Sequence, residues 1–285
     1  FADTFTVRGP NESGLPDPPQ ELAVDALGNV WVSTAAHAIL RYRPNGVGSI
    51  FAAPGEGGGC LAFDASGQLH AVSPSGNSIR RFSPDGSSVV VADLSSVLGE
   101  FEIVYRFAFD PTGNVIFTIG WHHDSGLYRY TIGQDKIYKW SPTAGISVFS
   151  SDQVAGPDGL RVNSAGEVFV VNSYLEHFES SNTYSPFSSY KLQKFDPMGN
   201  STVLADRWDE NDPNGRPDWP GDLAIDSTGA IFVIDAGSKK IRKFTSTGEG
   251  GEVWATSRIS EYDTITFANT IAIGPGLSHA VSGRV

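Results

Sequence analysis

Cysteine and methionine are nearly missing from this chain: one residue of each, Cys60 and Met198, in 285 positions. A lone cysteine excludes an internal disulfide and any cysteine-rich zinc site. Low cysteine use is compatible with cytoplasm, periplasm or the bacterial exterior, and an extracellular or periplasmic location is the expectation adopted here. Positive charge is also scarce, with 20 Lys and Arg against 32 Asp and Glu and a net charge of -12. Such a surface repels a phosphate backbone, so nucleic acid is excluded as an expected partner. No apolar run reaches the roughly 18 residues needed for a membrane-spanning helix. The start lacks a basic segment followed by an apolar one, and the chain opens on Phe1. A mature or trimmed form is therefore expected. Gly-x-Ser-x-Gly, Walker and His-Glu-x-x-His patterns are missing as well, which removes the common hydrolase elbow, nucleotide and zincin signatures.

What is present is glycine (32), proline (17) and a hydrophobic content of 40%, the composition of many short strands joined by tight turns. The strands repeat. "ELAVDALGNVWVST", "CLAFDASGQLHAVS", "RFAFDPTGNVIFTI", "GLRVNSAGEVFVVN" and "DLAIDSTGAIFVID" share one pattern, and "TIAIGPGLSHAVSG" is a degraded sixth copy. Most copies continue with an alternating strand, such as "SIRRFSPDG", "KLQKFDPMGN" or "KIRKFTSTGEG", and then a fourth apolar stretch such as "TVLAD". Four strands per unit at a period of about 40 to 60 residues predict an all-β, six-bladed β-propeller with four-stranded antiparallel blades. It would form one domain over residues 1–285, with repeats beginning near 20, 59, 105, 158, 221 and 269. Asp25, Asp64, Asp110, Asn163 and Asp226 are expected to be structural: the side chain caps a hairpin turn whose glycine takes positive φ.

Closure of the ring raises a question. The sixth copy supplies two strands, near Thr270–Ile273 and Ser278–Ser282, before the chain reaches Val285. The opening "DTFTVRG" is expected to complete the last blade as its outermost strand, removing an unpaired edge. For the third strand three readings stand: the chain continues beyond Val285, the strand is short, or another copy donates it and a homo-polymer results.

The repeats resemble the NHL family, whose pattern is roughly Gly-Leu-Ala-Val-Asp-x-x-Gly-Asn-Val-Tyr-Val-x-Asp followed by Arg-Ile-x-Lys-Phe; "DLAIDSTGAIFVIDAGSKKIRKFTSTG" matches it best. The resemblance covers nearly the whole chain. It implies the fold and leaves activity open, since such propellers include protein-binding platforms, lyases and hydrolases. The gluconolactonase and senescence-marker propellers are similar in plan.

Two regions are candidate sites. Loops between strands two and three, and connections between blades, carry long insertions: Gly120–Asp135, Ser173–Tyr190 and Asp206–Gly221. All three are expected to crowd one face, and long loops on a rigid scaffold are where binding residues concentrate. Trp121, Tyr128, Tyr174, Phe178, Tyr184, Trp208 and Trp219, with His122, His123 and His177, are candidate contacts there for a protein partner, a carbohydrate or another small ligand. His122 and His123 are adjacent, so in a strand they point opposite ways and do not readily share a metal. The acidic turn "ENDPNGRPD" lacks the final bidentate Glu of a calcium loop and is read as solvated.

The second region is the mouth of the channel, formed by the pairs that open each inner strand: Gln20–Glu21, Gly59–Cys60, Tyr105–Arg106, Asp158–Gly159, Gly221–Asp222 and Asn269–Thr270. Glu21, Asp158, Asp222 and Asn269 are candidate oxygen ligands for calcium or another divalent cation. The lactonase resemblance implies a metal at this mouth, held by a Glu of the first blade, Asn residues of middle blades and the Asp of a "PDG"-like turn. Here the middle-blade positions hold Tyr105–Arg106 instead. Arg106 gives the alternative, a cation that neutralises the acids as an ion-paired plug. The primary expectation is a binding or assembly module; the alternative is a metal-dependent hydrolase.

Overall fold

The computed structural model describes residues 19–121, 136–152, 154, 157–175, 188–206, 220–235, 240–256, 267–273 and 280–284. The chain divides into two compact units, Phe1–Ser96 with Ile259–Val285, and Val97–Arg258.

Among the described residues of the first unit, blade 1 comprises β1 (Pro19–Val24), β2 (Val30–Thr34), β3 (Ile39–Tyr42) and β4 (Gly48–Ala52). Blade 2 comprises β5 (Leu61–Phe63), β6 (Leu69–Val72), β7 (Ser78–Phe82) and β8 (Ser88–Asp93). The second unit holds blade 3, with β9 (Glu102–Phe109), β10 (Val115–Trp121), β11 (Ile137–Ser141) and β12 (Gly145–Ser150). Blade 4 has β13 (Pro157–Val162), β14 (Val168–Leu175), β15 (Ser188–Phe195) and β16 (Ser201–Asp206). Blade 5 has β17 (Pro220–Ile225), β18 (Ile231–Asp235), β19 (Lys240–Phe244) and β20 (Gly250–Thr256). Each is a four-stranded antiparallel meander in chain order.

Among the described residues five blades are four-stranded, and the sixth repeat supplies the two strands expected of it, β21 (Phe267–Ala272) and β22 (Ala280–Arg284), paired as a two-stranded sheet. The strand expected in "DTFTVRG" lies outside the described residues.

The hairpins form as their chemistry requires. Oδ1 of Asp25 accepts the amides of Leu27 and Asn29, and the same pair of bonds recurs at Asp64, Asp110, Asn163 and Asp226. Burial alone would raise the Asp110 pKa, but hydrogen bonds from Asn114, Lys139 and Thr112 outweigh it and hold the carboxyl far below its usual range. The four aspartates among these caps, all with lowered pKa, stabilise above the ordinary carboxylate pKa, and that contribution is lost as pH falls.

The second strands are buried on both faces, as β2 and β18 show throughout their length. Within each unit, successive blades pack face to face around them. Trp31, Ile39, Leu61, Ala71 and Phe82 fill the seam of blades 1 and 2. Ile116, Ile137, Leu160, Val168, Val170 and Phe195 fill that of blades 3 and 4, and Val171, Leu192, Leu223, Val233 and Phe244 that of blades 4 and 5.

Every fourth strand carries a bulge against the third. The residue passed over is Phe51, Val91, Phe149, Leu204 or Trp254. Bulges twist an edge away from further pairing. They also meet the neighbouring blade: Gly86, Gly199 and Gly248, in turns between third and fourth strands, lie against the carbonyls of Phe51, Phe149 and Leu204.

His70 on β6 occupies the repeat position held by Trp31 and Phe232. It is buried, and its Nδ1 lies 3.0 Å from the Gln68 carbonyl, which only accepts, so Nδ1 carries the proton. Burial pushes the His70 pKa below its ordinary 6.5, more than the Gln68 carbonyl and the Asp64 carboxylate hold it up. The unfolded chain therefore takes this proton first, and stability present above about pH 6.5 is lost as pH falls through the depressed value. Thermal melts from pH 7 to pH 5 are expected to show a smaller decline for His70→Phe than for the unaltered chain. Identical declines would remove His70 as the cause.

Candidate functional site

Five of the six pairs that open the inner strands contain a bulge. Pairing of β1 with β2 passes over Gln20; β9 with β10 passes over Tyr105; β13 with β14 passes over Asp158; β17 with β18 passes over Gly221; β21 with β22 passes over Asn269. A bulge places two residues opposite one and re-aims the side chains on either side of it. Glu21, Arg106 and Asp222 thus follow a bulge, whereas Asp158 is itself the extra residue, so the proposed acids do not occupy equivalent positions.

In the first unit Glu21 is buried opposite Ser33 of β2. Ser33 Oγ donates to the carbonyl of Gly59, and Cys60 beside it is buried.

In the second unit the inner strands β9, β13 and β17 bring Arg106, Asp158 and Asp222 into one chain of contacts. Arg106 lies with its guanidinium carbon 4.3 Å from the Tyr105 ring centroid, and donates through Nε to the carbonyl of Asp158 at 2.8 Å. A second nitrogen donates to the Tyr105 carbonyl at 3.2 Å. Gly159 follows, and a Cβ there would sit 2.7 Å from Asp222 Oδ1, so the missing side chain lets β13 and β17 close. Asp222 is fully buried. Its Oδ1 accepts the Leu223 amide and its Oδ2 accepts Arg161, each at 2.8 Å.

Arg161 is the residue that inspection of the strand openings misses. The signal was available: the inner strands read Leu-Ala, Leu-Ala, Phe-Ala, Leu-Arg, Leu-Ala and Ile-Ala in chain order, so Arg161 stands alone in a column of alanine. A cation in that column needs an anion from the adjacent strand, and Asp222 supplies it.

The other candidates are placed less fully. Trp121 ends β10 opposite Glu102, Tyr174 stands in β14 opposite Ser189, and Asn269 is the extra residue of β21. His122, His123, Tyr128, His177, Phe178, Tyr184, Trp208 and Trp219 lie outside the described residues, as does the acidic turn at 210–218. Among the described residues, no group of three or more His, Cys, Asp or Glu is arranged to hold a metal.

No model of a protein family matches the sequence, and no curated protein does. Solved structures do match. A gluconolactonase of Xanthomonas campestris shares 14% identity, with a TM-score of 0.63 over 94% of this chain and 84% of that one. The calcium-binding protein regucalcin of Agrobacterium tumefaciens shares 13%, with a TM-score of 0.62 over 89% and 77%. A chain of the nidogen/laminin complex shares 14%, with a TM-score of 0.58 over 84% and 81%.

The fold is a β-propeller. At these identities the likeness is one of fold, and the chemistry must be argued from the residues. Within the second unit Arg106 is tied to the Asp158 carbonyl and Asp222 to Arg161 and the Leu223 amide, and these ties join blade 3 to blade 4 and blade 4 to blade 5.

Proposed function

We propose that this propeller is a binding or assembly module acting outside the cytoplasm, receiving a protein or a small polar ligand at the ends of its blades. The observation that carries the reading is the closure of Asp222 by Arg161 and the Leu223 amide. A carboxylate so engaged is a strut between blades 4 and 5, giving a rigid platform with fixed polar groups. The likeness to a chain of the nidogen/laminin complex supports use as a protein-binding platform.

A second reading, a divalent-metal hydrolase with Glu21, Asp158, Asp222 and Asn269 as ligands, is favoured by the fold likeness to a gluconolactonase and to calcium-binding regucalcin. The donor set of the second unit fits it poorly. A cation bound at Asp222 Oδ2 would face the Arg161 guanidinium, 2.8 Å from that oxygen, and like charges at such range repel strongly in a buried site.

Elemental analysis of the purified protein, with Glu21→Gln and Asp222→Asn and an assay of lactone hydrolysis, separates the two. The binding module is expected to carry no stoichiometric calcium after chelation, and both variants should leave the metal content unchanged. Stoichiometric calcium that disappears in either variant together with lactone turnover would overturn it.

A further inference from the structure

The seams on either side of blade 4 end differently, and the difference points to a subsite. Thr118 pairs directly with Ile137, which packs in the seam of blades 3 and 4, so its side chain faces blade 4. Asn172 lies two residues beyond Val170, which packs in the same seam, so it faces blade 3 from the opposite wall. Both stand at the end where the inner strands bulge: Thr118 is paired with Arg106 and Asn172 with Pro157, next to Asp158. Thr118 is 0% exposed and Asn172 3%. Asn172 Nδ2 donates to Gln193 Oε1 at 2.6 Å. Among the described residues Thr118 Oγ1 and Asn172 Oδ1 have no hydrogen-bond partner.

Blade 5 supplies an internal comparison. In the repeat, Asp235 takes the position of Asn172, Arg242 that of Gln193, and Val171 that of Thr118. There the polar pair is ionic and buried, and the facing wall is apolar. One seam end is satisfied from within the chain; the other holds an acceptor and a hydroxyl that have no hydrogen-bond partner among the described residues. Native interiors pair nearly all buried polar atoms, with water or ligand where protein groups do not reach.

We propose that the end of the seam between blades 3 and 4 is a subsite for a hydroxyl group, entering when the seam parts. Thr118 donates to the incoming oxygen and Asn172 Oδ1 accepts its proton. The Arg106 guanidinium, already fixed on the Asp158 carbonyl, forms the adjoining wall. The hydroxyl comes from a neutral polyol ligand or from a water molecule in its place. As a ligand subsite this rests on the reading of the inner-strand ends as the receiving part of the module.

The test uses the full chain with Thr118→Val, which keeps shape and removes the hydroxyl, and Thr118→Ser, which keeps the hydroxyl. Where the subsite is empty, removing the unpaired hydroxyl stabilises, so Thr118→Val raises Tm by about 2–4 °C and slows amide exchange at Thr118–Gly120 and Val171–Ser173 by about tenfold. Where water fills it, the same change removes a paired hydroxyl and both effects reverse sign. In the unaltered chain and in Thr118→Ser, the Asn172 side-chain amide resonance should shift on titration with glycerol, ribose or glucose, which identifies a ligand alcohol. Cross-relaxation with a long-lived water alone identifies water as the occupant. Thr118→Val should show neither signal. Polyol and water signals that Thr118→Val leaves unchanged, or the lack of both in the unaltered chain, overturn the subsite. Partner binding by the unaltered chain is measured separately: its absence counts against the binding module, while the polyol and water signals still decide the subsite.

Discussion

Gly199→Ala is expected to lower Tm by about 6–10 °C, on the order of 3 kcal/mol for a domain of this size. Two causes add. Gly199 has φ of 87°, a conformation that costs an L-residue about 1–2 kcal/mol. Its Cβ would also enter the Phe149 carbonyl of the neighbouring blade, which is backbone held in a bulge and cannot turn aside. Gly113→Ala separates the two. Gly113 has φ of 84° with nothing within 4 Å of its Cβ position, so it should show the conformational cost alone, about 1–2 kcal/mol. Equal losses in the two variants would mean that the bulge carbonyl does not hold blade 3 against blade 4. Urea unfolding of both proteins gives the comparison.

Asp235→Ala is expected to cost about 3–5 kcal/mol, because it leaves Arg242 buried without its countercharge. Asp235 is fully buried, Arg242 nearly so, and Arg242 Nε lies 3.5 Å from Asp235 Oδ2, with a further Arg242 nitrogen donating to the Gly251 carbonyl at 2.9 Å. The protein contains its own substitute for this pair. Blade 4 uses Asn172 and Gln193 at the same two positions. Asp235→Asn combined with Arg242→Gln should therefore recover most of what Asp235→Ala loses. A double variant as unstable as the single one would show that charge, and not shape with hydrogen bonding, is what blade 5 needs. The two comparisons probe different joints: the glycine turn locks the outer edges of adjacent blades, and the polar pair locks the second strand to the third within one blade.

Much of this was readable from the sequence. The first and second strands of each repeat, the alternating third strand and the Asp-capped turns follow from local patterns, and β17, β18 and β19 lie where "DLAIDSTGAIFVIDAGSKKIRKF" places them. The pairs opening the inner strands were legible as special positions too, since Glu21, Arg106 and Asp222 interrupt a glycine-like slot. Their direction was not. A bulge shifts register by one residue, and a shift of one exchanges the faces on which neighbouring side chains stand. Asp158 and Asp222 read alike as acids at strand openings, yet one is the extra residue of a bulge and the other follows one. Arg161 was visible as an arginine in a column of alanines. That it closes on Asp222 could not be read off, because the partner lies 61 residues away.

The chain by itself thus determines its blades. Turn chemistry, strand alternation and the repeat all act over a few residues, and each recurrence reinforces the same local choice. Tertiary structure decided which polar groups at the blade ends meet: Arg161 with Asp222, Arg106 with the Asp158 carbonyl, and Asn172 Nδ2 with Gln193, while Thr118 Oγ1 and Asn172 Oδ1 meet no partner among the described residues. Those outcomes depend on the register of bulged strands and on the approach of sheets from distant parts of the chain. A one-residue offset there reverses a side chain while leaving every local pattern intact.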